Sequence, residues 1–244
     1  MTRLRKALDS DDTRAWLDKN AAGNAIYFGR YNGSSPISGE LRKVREDRTS
    51  VINTKKVDQL KDELRKIETG SSHVEEYIKQ NDISRSEAKD LRSFFQRLDG
   101  TEMRCRFDMQ VAPPDILITN YSMLSIMLMR GIDSGIFDET RQWLACEDLP
   151  EIDRYAEKTN RIFHLVIDEL HLYRGTQGTE VAYLLKLVLN RLGLDPEDPQ
   201  LRILASSASL EAEDQSSKTF VCDFFGVTQK YFKEKFRIIQ GTNN

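Results

Sequence analysis

The sequence predicts an α/β fold: a parallel sheet flanked by helices, with a helical insertion. Three observations lead there. From Pro113 onward the pattern runs strand, helix, strand, helix, strand, which requires crossover connections and parallel pairing. From Glu40 to Gly100 charged residues dominate and β-branched apolar residues thin out, and within it 56–99 reads as a helical insertion on the surface. The 244 residues, 39% hydrophobic, suffice for one sizeable core but not comfortably for two.

Taken in order, residues 2–20 read as one or two helices, with Leu4, Ala7 and Leu8 on one apolar stripe and Trp16 and Leu17 on another. With neither cap nor strand ahead of Thr2, the chain is expected to open in mid-helix, as a piece of something longer. Ala25 to Tyr31 reads as a strand ending in an Asn-Gly and Ser/Pro/Gly loop. In the charged region, Ser72 with Glu75 and Ser84 with Glu87 have capping-box spacing and predict two helix starts. Leu91, Phe94, Phe95 and Leu98 then fall on one helical face. Ile116 to Ile118 is a short apolar strand that turns into an apolar helix. "RIFHLVIDEL" is a buried strand, and "GTEVAYLLKLVLNRLGL" a helix with Val181, Leu184, Leu185, Val188 and Leu192 on one side. "LRILASSASL" is the last strand. The division expected is 1–55 and 100–244 for the main domain, with 56–99 inserted.

Composition narrows the function. The net charge of −3 gives no global case for nucleic acid, so such a site would be a local basic patch. Cys105, Cys146 and Cys222 form no C-x-x-C pair, so no zinc ribbon or disulfide framework is expected, and the setting reads as cytoplasmic. The N-terminus has no apolar signal core, and the longest apolar run is too short for a bilayer, so no membrane partner is expected.

Ligands of parallel sheets sit at the carboxyl ends of strands, where Thr119, Asp168, Glu169 and Ser207 fall. An acid at a strand's last position, Asp168, can reach a magnesium ion, which prefers one or two carboxylates with waters and phosphate oxygens. Glu169 beside it can orient or deprotonate a water. The alternative is a strand that simply ends at a charged turn. Thr119 and Asn120 stand where a strand becomes a helix, either as a phosphate site or as an ordinary helix cap. "ASSAS" lacks the G-x-S-x-G elbow of a serine nucleophile, and His73, His164 and His171 make no metal-binding pair at helical spacing.

In this order and spacing, "TNYSML" at 119–124, "DELH" at 168–171 and "SAS" at 207–209 resemble the first, RecA-like motor domain of superfamily 2 helicases of the DExH type. "PPDILITNYSMLSIMLMR", "DELHLYRGTQGTEVAYLL" and "FGRYNGSSP" further resemble large bacterial helicases related to Lhr and to the DISARM helicase subunit. The resemblance covers roughly residues 1–40 and 100–240. It implies magnesium and ATP as cofactors and DNA or RNA as partner. It implies that Asp168 holds magnesium through water, that Glu169 is the general base and that His171 couples the nucleotide to the following motif. It gives Ser207 and Ser209 the relay from hydrolysis to strand movement, and Thr119 and Asn120 contacts to the nucleic-acid backbone. Arg174 either faces nucleic acid or caps the next helix, the second reading being preferred. Ser209 keeps the hydroxyl of the family's usual threonine.

Two parts of such a motor are expected to be missing, the P-loop and the second motor domain with its arginine finger. A P-loop requires G-x-x-x-x-G-K-[ST], and none of the thirteen glycines is followed by lysine. The expectation is therefore an internal portion of a helicase motor domain, negligibly active alone and dependent on segments supplied by a neighbouring chain. The alternatives are a nucleic-acid-binding fragment without catalysis and a truncated product without function.

Overall fold

The computed structural model describes residues 1–44, 48–211 and 214–239. The fold is mixed α/β, 55% helical, with short parallel ladders flanked by helices. The chain divides into two compact units, Met1–Leu124 and Ser125–Asn244.

The first unit opens with α1 (Thr2–Leu8) and α2 (Asp11–Asn20). Two helices form because Ser10 interrupts the pattern: its hydroxyl accepts the Thr13 N–H at 3.2 Å and caps α2. The strand read over 25–31 is confined to β1 (Phe28–Arg30). Beyond its end Asn32 starts a turn, accepting the N–H groups of Ser34 and Ser35, each at 3.1 Å. A short antiparallel pair follows, β2 (Arg42–Val44) with β3 (Ser50–Ile52). Next come α3 (Thr54–Gln80) and α4 (Arg85–Ser93).

Two expectations fail in this region. Ser72 starts no helix. It lies inside the 27-residue α3, and Glu75 instead forms a paired contact with Arg92 at 2.6 and 2.8 Å. The region 54–80 holds no proline and one glycine, so nothing in it stops the helix. Ser84 does cap α4, accepting the Glu87 N–H at 3.3 Å. Phe94, Phe95 and Leu98 share no helical face with Leu91, because α4 ends at Ser93, and all three are exposed.

The unit continues with α5 (Arg106–Val111), β4 (Ile116–Ile118) and the start of α6 (Tyr121–Met129). β1 and β4 pair in parallel, Phe28 opposite Ile116. Phe28 and Tyr31 are fully buried beside β4's ladder, with Met109 nearly so. Gly29 has no room for a side chain: a Cβ there would lie 2.4 Å from the Met109 sulfur.

The second unit carries the end of α6, then α7 (Ser134–Leu144), α8 (Glu151–Lys158), β5 (Phe163–Ile167), α9 (Gly175–Leu192), β6 (Leu201–Ala205), α10 (Gln215–Phe225) and α11 (Phe232–Lys235). β5 and β6 pair in parallel over five residues, from Phe163 opposite Leu201 to Ile167 opposite Ala205. The α9 between them buries all five residues of its predicted stripe. α7 and α10 pack on α9. Gln200, 3% exposed, ties the start of β6 to the rest by donating to the carbonyls of Leu144 and Arg161, both at 3.0 Å. Within the first unit β4 pairs with β1, and within the second β5 pairs with β6. The N–H of Tyr31 extends the first ladder to the Ile118 carbonyl at 2.8 Å, so β1 takes that edge of β4.

Candidate functional site

The register of β5 and β6 builds the site. Ile167 opposes Ala205, so the next residues, Asp168 and Ser206, leave the ladder side by side. The Ser206 hydroxyl donates to Asp168 Oδ1 at 2.5 Å and accepts the Glu169 N–H at 2.9 Å. The Ser206 N–H donates to the Ile167 carbonyl at 3.0 Å, and the Leu170 N–H to the Ser206 carbonyl at 2.8 Å. Asp168 and Glu169 are both exposed beyond the buried Ile167. Among the described residues, Asp168 Oδ2 takes no further protein hydrogen bond.

Glu169 has φ +53° and ψ +47°, the left-handed region. A residue with a Cβ pays conformational strain there, and such strain gathers at functional sites. The turn is held on both sides: Leu172 N–H donates to the Glu169 carbonyl at 2.9 Å, and the buried Leu170 anchors a single 3-10 turn, Leu170–Leu172.

His171 joins the two loops. Its Nδ1 accepts the Ala208 N–H at 3.2 Å and lies 3.3 Å from Glu169 Oε2. The two neighbours require opposite states of one nitrogen: an acceptor lone pair for Ala208, a proton for Glu169. Ser207 Oγ accepts the Ser209 N–H at 3.5 Å, a long contact. Asp168, Glu169, His171, Ser207 and Ser209 thus belong to two loops tied together by Ser206 and His171.

The remaining predicted residues have other surroundings. Arg174 occupies the position before α9, but its side chain makes no capping bond; the guanidinium lies over the Phe220 ring at 5.2 Å. α9 approaches the preceding turn so closely that a Cβ on Gly178 would sit 1.9 Å from the Tyr173 carbonyl oxygen. In the first unit, Asn120 caps α6: its Oδ1 accepts the Met123 N–H at 2.8 Å. Thr119 is half-buried, with its hydroxyl 3.5 Å from the Asn120 carbonyl.

Ser206 was missed at the sequence level. "ASSAS" drew attention to the triplet 207–209, whereas counting one step past the ladder pairs Ser206 with Asp168. One exposed carboxylate with a free oxygen suits a cation held through water, since magnesium takes few protein carboxylates and keeps several waters. Among the described residues no cluster of three or more His, Cys, Asp or Glu side chains could hold a metal ion. Among the same residues no helix is long and apolar enough to cross a membrane.

No protein-family profile matches the chain, and no solved structure matches it significantly. The chain is similar to Druantia protein DruE of Escherichia coli (strain UMEA 4076-1), 39% identical over 141 residues. The match covers 58% of this chain and 7% of that protein, so the chain spans a small part of the length of its curated relative.

Proposed function

We propose that this chain forms part of a nucleotide-driven motor acting on DNA or RNA, of the superfamily 2 helicase type. The observation that carries the reading is the pair of loops at the carboxyl end of β5 and β6, where "DELH" and "SSAS" are held together by hydrogen bonds. The similarity to Druantia protein DruE supports a role within a much longer protein.

In this reading the exposed Asp168 holds a magnesium ion through water, with Oδ1 engaged by Ser206 and Oδ2 left for the hydrated ion. Bound there, the ion would neutralise charge developing on the phosphates. Glu169 accepts the proton of the attacking water, with its backbone aimed by the left-handed turn. His171 senses the Glu169 carboxylate on one side and the 206–209 loop on the other. Ser207 and Ser209 relay a change at that loop. Thr119, Asn120 and Arg174 contact the nucleic-acid backbone, although Asn120 spends its side-chain Oδ1 on the Met123 N–H of α6 and Arg174 rests on Phe220. The phosphate cradle is not in this sequence, so it comes from elsewhere.

The test is ATP turnover, measured on the chain alone and with a P-loop-bearing segment added. The chain alone is expected to turn over negligibly. Turnover gained on adding that segment is expected to disappear in Glu169→Gln. Turnover of the chain alone, or turnover indifferent to Glu169→Gln, contradicts the reading.

A further inference from the structure

We propose that Ser206 is a positioning residue of the cation site, setting both carboxylates with one hydroxyl. The inference rests on the reading of Asp168 given above and goes beyond it. A serine hydroxyl has one proton to donate and lone pairs to accept with. Here the proton goes to Asp168 Oδ1 at 2.5 Å, and a lone pair receives the Glu169 N–H at 2.9 Å. The backbone of Ser206 is fixed in turn by the Ile167 carbonyl and the Leu170 N–H. One residue thereby bonds to four consecutive residues, 167–170.

The consequence for Asp168 is directional. A carboxylate at the end of a strand can rotate about its side-chain torsions. With Oδ1 engaged by Ser206, rotation is restricted and Oδ2 is left as the oxygen for a hydrated cation. The consequence for Glu169 is conformational: its amide bond to the same hydroxyl helps hold a residue with a Cβ at φ +53°. The nearby hydroxyls do not replace it. Among the described residues Ser207 Oγ reaches only the Ser209 N–H, and no bond from Ser209 to Asp168 is present. Outer partners that orient a ligand typically change metal affinity about ten- to a hundredfold when removed.

The experiment uses the 15N-labelled chain titrated with Mn2+ alone, whose paramagnetism broadens nearby amide signals even when binding is weak. Wild type is expected to lose the signals of Asp168, Glu169 and Leu170 first. Ser206→Thr and Ser206→Val have nearly the same shape but differ in the hydroxyl, so packing is matched. Val is expected to need about tenfold more Mn2+ for the same broadening. Thr is expected to stay close to wild type. Hydrogen exchange of the Glu169 amide is the second readout, faster in Val and restored in Thr. Equal Mn2+ response in Thr and Val overturns the role of Ser206. Broadening that persists unchanged in Asp168→Asn, or none around Asp168 in wild type, overturns the cation-site reading itself, so the two failures are distinguishable.

Discussion

Replacing Glu169 by glycine should stabilise the chain while removing the proposed base. A residue with a Cβ in the left-handed region pays about 1–2 kcal/mol. Glycine there pays none of it, but its freer unfolded chain takes back about 0.4–1 kcal/mol. The comparison is best made against Glu169→Ala, because both variants lose the carboxylate and its contact with His171 at 3.3 Å. The difference then isolates the backbone. Glycine should exceed alanine by about 0.5–1 kcal/mol, which for a chain of this size moves a melting midpoint by about 1–4 °C. The assay is a reversible thermal melt followed by circular dichroism, with urea titration as a check. A glycine variant that melts below the alanine variant would refute the claim that Glu169 is held against its backbone preference.

Four further outcomes follow from the same geometry. Gln200→Ala leaves the buried carbonyls of Leu144 and Arg161 without their shared donor, so urea unfolding should show a loss of about 1–3 kcal/mol. Gly178→Ala should be destabilising by about 1–3 kcal/mol or displace the 173–178 turn, visible as a lowered melting midpoint, because its Cβ meets the Tyr173 carbonyl at 1.9 Å. Arg92 holds the Glu75 carboxyl below its ordinary range, chiefly by hydrogen bonding. The stability from this pair is present above the unfolded glutamate's pKa of about 4.3 and lost as pH falls through the lower folded value. Glu75→Gln should therefore melt slightly lower than wild type at neutral pH and converge with it in acid. Burial pushes the Cys105 thiol up to about 11, so thiol-specific alkylation at pH 8 should be slow on the native chain and fast after unfolding.

Much of the second unit could be read from its residues because its signals are long and regular. The α9 stripe repeats over about three turns. β5 is apolar at every position but His164, although the strand read as buried leaves His164 and Val166 exposed. What stayed hidden depends on pairing. The ladder partner of Ile116–Ile118 was not recognisable, because β1 is only three residues long and its apolar pattern is weak. Ser72 with Glu75 had the spacing of a helix start, but a cap needs a break before it, and α3 has none. Ser206 was hidden among three similar serines, and only the register of β5 against β6 separates it from Ser207. The strain at Glu169 had no sequence signal, since the left-handed turn is imposed by the contacts of Ser206 and Leu170 rather than by a glycine.

The most direct test of the central claim is to map a non-hydrolysable ATP analogue with Mg2+ onto the 15N-labelled chain, alone and with a P-loop-bearing segment. With that segment present, amide shifts are expected to concentrate at residues 167–172 and 205–209, and to be lost in Asp168→Asn. Shifts centred elsewhere, such as the apolar groove of Val74, Tyr77, Leu91 and Phe95 between α3 and α4, would contradict it.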